Sequence, residues 1–370
     1  MSESAGASVS REASKNGEAP PTAGPARRDG GPRVLPARAD DTPHVLSAAR
    51  YLAWLYSPPS QQPVFAKLCE IESEIAGSLR PGIDHHVAHA RLQWWREECE
   101  RCAQGRPVHP LTRELVKAYG AVPAGRPSPL AGISGFVDTA VWDLAGATFE
   151  TRKELTAYCD RWAAAMFETA AGQVAVGVAA NAGASTATDS GGGVSARGAT
   201  NSRVSAAASM AANSPANAAA SETSPTVPVA GSRWRVLGAA VREIELLADL
   251  AREAHVGRLR VPLDELERVG VDVKSLANPP WPAPLVALVR ERHEALRATI
   301  GECLGGALGR EQQAEFRGLL VWAALAWKQS VRAQRALPTI ISPRRYHALA
   351  DGWLAWRAAR RAAAGTLRLS

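Results

Sequence analysis

The chain has 370 residues, 46% of them apolar and 21% charged, with a formal net charge of +7, which excludes collagen-like and wholly disordered classes. Only 5 Tyr and 5 Phe are present, too few strand formers for an all-β protein, and no apolar run reaches the roughly 18 residues of a membrane-crossing helix. Five cysteines, an odd number, with Pro, Arg, Asp and Glu scattered through the first 43 residues, point to a reducing cytoplasm rather than a secreted disulfide framework.

Residues 1–42 mix Gly, Pro, Ser and Ala with balanced charge and no apolar period, and read as a disordered tail. Thr42-Pro43 is an N-cap with Pro at the first helical position. Val45, Ala49, Leu52 and Tyr56 then share one face until Pro58-Pro59. A second helix begins near Ser60 and sets Val64, Leu68, Ile71 and Ile75 on a single stripe. A third runs from Asp84 to Gln104 and stops at Gly105. Helices are further expected at 110–120, 130–145, 151–171, 234–256, 283–304, 311–336 and 343–364. Between them, residues 172–232 carry a Gly191-Gly192-Gly193 run, Ala/Ser/Asn/Thr repeats and four charges, the composition of a disordered low-complexity insertion. The two blocks 43–171 and 233–370 are therefore expected to form a single all-α domain.

The charge is concentrated at one end. From Lys328 onward there are nine basic residues against Asp351 alone, more than the excess of the whole chain. Such a helix suits a solvated face, nucleic acid or an anionic membrane surface. Trp353 and Trp356 beside Arg357, Arg360 and Arg361 favour packing or peripheral contact with the inner membrane, with no role for nucleic acid.

Two smaller constellations carry little chemistry. His85 and His89 have the i, i+4 spacing of a metal pair, yet the start of a helix accounts for them. Cys99 and Cys102 form a lone CxxC within a helix, which reads as buried thiols. No glycine-rich phosphate loop or G-x-S-x-G elbow is present.

Four phrases, in order, resemble the squalene/phytoene synthase family: residues 90–98 (ARLQWWREE), 105–111 (GRPVHPL), 154–159 (ELTAYC) and 257–266 (GRLRVPLDEL). The resemblance implies an isoprenoid-synthase-like helical bundle around a central apolar cavity. Active members join two prenyl diphosphates head to head, with Mg²⁺ held by two acidic pairs at four-residue spacing on facing helices. Metal ions there would stabilise the charge developing on the departing diphosphate. Carried onto this chain, Asp249 and Glu253 match the second acidic pair as metal ligands, Arg258 becomes a phosphate contact and Tyr158 a cavity residue. No catalytic residue is assigned.

The chain departs from that pattern at several positions. The first acidic motif is replaced by Cys69-Glu70-Ile71-Glu72-Ser73-Glu74. Glu70 and Glu74 keep the spacing, but at 100° per residue they stand about 120° and 80° from Val64, as on a solvated edge. Upstream of Asp249 the family's Gln and Asn become Arg242 and Glu245, and its Arg becomes Ala248. Arg252 stands where an acid is usual, and Arg260 replaces the tyrosine of a Gly-Arg-x-Tyr-x-Pro turn. The spacing lets Arg242 pair with Glu245 and Asp249 with Arg252. Two functions follow from the resemblance: an Mg²⁺-dependent prenyltransferase of isoprenoid metabolism with catalysis lost or altered, or a non-catalytic lipid-binding or respiratory-complex assembly factor on the same fold.

Overall fold

The computed structural model describes residues 46–80, 82–120, 128–146, 148–173, 230–305, 308–339 and 348–369. The tail expected at 1–42 lies outside the described residues, as does the expected insertion apart from its ends. Gly172, Gln173 and residues 230–232 are helical, so the flanking helices reach slightly further than their composition suggests. Among the described residues there is no strand.

Fourteen α-helices are described. They are α1 (Ala48–Tyr56), α2 (Gln62–Gly77), α3 (His85–Ala103), α4 (Pro110–Tyr119), α5 (Gly135–Leu144) and α6 (Arg152–Ala163), followed by α7 (Ala230–Ala248), α8 (Leu250–His255), α9 (Leu263–Arg268) and α10 (Lys274–Ala277). The last four are α11 (Ala283–Leu304), α12 (Arg310–Glu315), α13 (Arg317–Ala336) and α14 (Ala348–Ala363). A 3-10 segment, Pro129–Ser134, leads into α5, and α6 continues through a π turn, Ala164–Glu168, to residue 173.

The apolar stripe of α2 behaves as its spacing requires, since Val64, Leu68, Ile71 and Ile75 are all buried. The N-cap expected at Thr42-Pro43 lies outside the described residues; α1 itself begins at Ala48, after non-helical residues 46 and 47. On α3 the Asp84 carboxylate accepts the His86 and Val87 amides, satisfying orphan donors of the first turn. Two of the resembling phrases meet at Glu98, wholly buried on α3. Its carboxylate takes the Val108 and His109 amides at 2.8 Å each and the Thr112 hydroxyl. Burial alone would raise its pKa, but these bonds and Arg101 hold it below the usual carboxylate range. Glu98 thus secures the chain reversal between α3 and α4.

Helix α7 is the hub of the bundle, packed on α6, α11, α13 and the π turn. Helix α13 also packs on α1 and α14, and Gly318 permits the first of these approaches. A Cβ at Gly318 would stand 2.7 Å from the Ala53 carbonyl oxygen. Gly318→Val is therefore expected to force α1 off α13 and cost about 1–3 kcal/mol through overpacking. A urea midpoint unchanged from wild type would show the approach to be looser than described.

Candidate active-site cleft

Helix α1 presents an arginine among apolar neighbours. Ala49, Leu52 and Ala53 turn inward, and Arg50 extends over the indole rings of Trp162 and Trp322, its guanidinium carbon 5.7 and 5.2 Å from their centroids. Trp162, Trp322, Phe65 and Phe167 pack edge-on or tilted against one another beneath it. Indole N–H groups in so apolar a floor need acceptors. Trp162 donates to Glu72 at 2.7 Å and Trp322 to Glu245 at 3.1 Å. Each carboxylate thus lies between an indole below and a guanidinium above: Arg50 pairs with Glu72 at 2.5 Å, and Arg242 with Glu245 at 3.4 Å.

The network spreads from there across a cleft of about 350 Å³ lined by residues of α1, α5, α7, α8 and α13. Arg242 donates to the Tyr158 hydroxyl at 3.3 Å, and that hydroxyl donates to Asp143 at 3.2 Å. Arg260, nearly buried, is 2.8 Å from Asp143 and 3.4 Å from Glu253. Arg258 stands 3.7 Å from Glu253. Arg252, at the rim, reaches Asp249 at 2.7 Å and Glu253 at 3.7 Å. The turn that delivers Arg258 and Arg260 needs Gly257, whose φ of 80° is costly for any residue with a Cβ. The following Leu263 and Asp264 amides bond the carbonyls of Phe149 and Glu150, fixing the turn against the start of α6.

Burial and charge compete at these groups, and charge prevails. Desolvation opposes the cations on Arg50 and Arg242, but Glu72 and Glu245 beside the first, and Tyr158, Glu245 and Glu72 beside the second, hold both guanidiniums more firmly protonated than usual. Burial would raise Glu72, yet Arg50, Arg242 and the Trp162 N–H keep it below the ordinary carboxylate range. Tyr158 is raised, chiefly by burial.

Asp249, Glu253, Arg258 and the pairings Arg242–Glu245 and Asp249–Arg252 all fall in or on the cleft. Tyr158 lies just beneath it, fully buried. Glu70 and Glu74 do not come near: Glu70 pairs with Lys67 at 2.8 Å, and Glu74 is exposed. The inward acid of that segment is Glu72, paired with Arg50, and neither belongs to a spacing motif. The signal that could have found them is a lone cation on an otherwise apolar helix face. Helix α7 also ends one residue before Asp249, whose φ of −106° and ψ of 8° break the long helix expected over 234–256.

Magnesium needs several oxygen ligands free to converge. Here Glu72, Asp143, Glu245, Asp249 and Glu253 each face at least one guanidinium, and no group of three or more metal-binding side chains converges among the described residues. The arrangement does not fit an Mg²⁺ clamp. His85 and His89 place their Nε2 atoms 3.0 Å apart on the exposed surface of α3. Cys99 and Cys102 are buried, and burial pushes the Cys102 thiol up to about 12, out of reach of thiolate chemistry.

The chain is similar in structure to a dehydrosqualene synthase in complex with ligand, known from a crystal structure, with a TM-score of 0.57 and 15% identity over 84% of this chain and 90% of that one. Squalene synthase HpnC from Alicyclobacillus acidocaldarius is similar too, at a TM-score of 0.53 and 14% identity over 77% and 87% of the two chains. At such identities the likeness establishes the fold, that of the isoprenoid synthases. No curated protein sequence matches the chain. The squalene/phytoene synthase family model, however, matches residues 46–347, and the chain belongs to that family.

Proposed function

We propose that the protein binds a prenyl diphosphate or a related isoprenoid lipid in this cleft, with guanidiniums rather than magnesium receiving the anionic end. Metal-dependent head-to-head condensation is, in this reading, lost or altered. The observation that carries it is the pairing of every cleft carboxylate with arginine. A further support is that the Nε–H groups of Arg242 and Arg260 are buried without a hydrogen-bond partner in side chains that line the cleft. Orphan buried donors cost about 1–3 kcal/mol each, so the carboxylate partners leave both guanidiniums incompletely satisfied. Guanidinium also matches phosphate oxygens in geometry. Losing the metal removes a Lewis acid usually worth several kcal/mol of transition-state stabilisation.

Purified protein given farnesyl or geranylgeranyl diphosphate with Mg²⁺ is expected to release no pyrophosphate and to form no C30 or C40 hydrocarbon. Sustained formation of either hydrocarbon, abolished by Asp249→Ala, would restore the synthase reading.

A further inference from the structure

Helix α14 buries one side and leaves the other without a packing neighbour among the described residues. Asp351, Ala355, Ala358, Ala359 and Ala362 face the bundle. Leu349, Trp353 and Trp356 lie on the opposite face, 92%, 57% and 43% exposed, within an arc of about 60° at 100° per residue. Large apolar side chains in one exposed stripe are unusual on a soluble surface and mark an interaction site. The cations beside them are arranged around the same rings. Arg357 lies 4.4 Å over Trp353, and Arg360 lies 5.1 Å over Trp356. Next to the stripe, α13 and α14 enclose a groove of about 480 Å³ whose lining includes Lys328, Arg357, Arg361 and Arg368 beside Trp327 and Leu354.

The chemistry of the occupant follows from this mixture. The groove's lining holds several cations and no carboxylate, and Asp351, on the buried side of α14, takes Arg332 in a two-point ion pair, so the outward field is positive. A second copy of the chain would set these arginines against their own kind. Nucleic acid has no use for Leu349, the most exposed large apolar residue of the three. A bilayer surface takes both parts, because indoles settle at the headgroup level while arginines reach lipid phosphates. No helix among the described residues is long and apolar enough to cross a membrane, so contact through this face would be peripheral.

We propose that this face of α14 docks the protein on an anionic lipid bilayer, with Leu349, Trp353 and Trp356 at the headgroup–acyl boundary and Lys328, Arg357, Arg361 and Arg368 on lipid phosphates. Flotation of the full chain with phosphatidylcholine vesicles, with and without phosphatidylglycerol, tests it. Binding should require the anionic lipid and weaken as salt is raised. Each surface arginine should be worth about five-fold in partitioning, so Arg357→Gln/Arg361→Gln should lose roughly twenty-five-fold, and Trp353→Ser/Trp356→Ser should also release the protein. In wild type, lipids brominated near the headgroup should quench tryptophan fluorescence, and Trp353→Phe/Trp356→Phe should remove that quenching while binding persists. Equal retention of wild type and the arginine variant would overturn the proposal. So would duplex DNA binding or self-association that these substitutions abolish, in a protein that ignores vesicles.

Discussion

Replacing Glu72 by Ala is expected to cost about 3–5 kcal/mol of folding stability, the price of stranding a buried cation. Arg50 and Glu72 are each only 15% exposed in their side chains, so water cannot readily replace the lost partner. Glu245, 3.9 Å from Arg50, is already engaged by Arg242 and the Trp322 indole. Changing both residues to Met should recover about half of the loss, roughly 2 kcal/mol, because the stranded charge goes with its partner. It should still leave a deficit of about 1–3 kcal/mol, since the Trp162 N–H then lacks its acceptor. The pair also has a pH signature. Glu72 has a depressed pKa in the folded state, so its contribution is complete above the unfolded-state pKa, near 4.5, and is lost as pH falls through the lower folded value. Urea titrations across that acid limb should therefore be shallower for Glu72→Gln than for wild type. A Glu72→Ala protein within 1 kcal/mol of wild type would mean that the pair is solvated, and the charge network described above would need revision.

The second large effect concerns binding without metal. Farnesyl diphosphate should bind in excess EDTA with a Kd within about two-fold of that in Mg²⁺, since no cation links ligand to protein. Arg242→Gln should weaken that binding by about 10- to 150-fold, the span of one charge-assisted hydrogen bond. Arg242 also holds Glu245 and Tyr158, so its loss disturbs packing as well as charge. Arg258→Gln provides the gentler control: that side chain is 38% exposed, and its removal should spare the fold while weakening binding about ten-fold. Binding abolished by EDTA but indifferent to both arginine substitutions would place a metal back in the cleft.

Much of the bundle was legible because helices announce themselves by period. The stripe of α2, the start of α3 at Asp84 and the stop at Gly105 all rest on local rules, and the first two are seen in the burial and hydrogen bonds around them. Gly105 adopts the left-handed backbone that such a stop requires. Helices α9 and α10, six and four residues long, are too short for any period to emerge. The site was only half legible, for a geometric reason. Glu72 and Glu74 each lie about 80° from Val64 on the helical wheel, on opposite flanks. Spacing alone cannot say which flank meets protein. That is decided by α1 and α6, which bring Arg50 and Trp162 to the Glu72 side. The pairs Arg242–Glu245 and Asp249–Arg252 were more tractable, since the partners of each lie three residues apart on one short segment. The break at Asp249 has no Gly or Pro to mark it.

The indoles under the two inner acids bear on how such a protein can change over generations. An N–H group only donates, so Trp162 and Trp322 secure Glu72 and Glu245 from below whether or not a cation stands above. Any lineage drifting toward bare, metal-ready carboxylates must first delete Arg50 or Arg242, and each deletion alone strands an interior anion at several kcal/mol. Against a total folding margin of about 5–15 kcal/mol, that barrier acts as a ratchet. Neighbouring positions can vary one at a time, whereas this quartet can change only in concert.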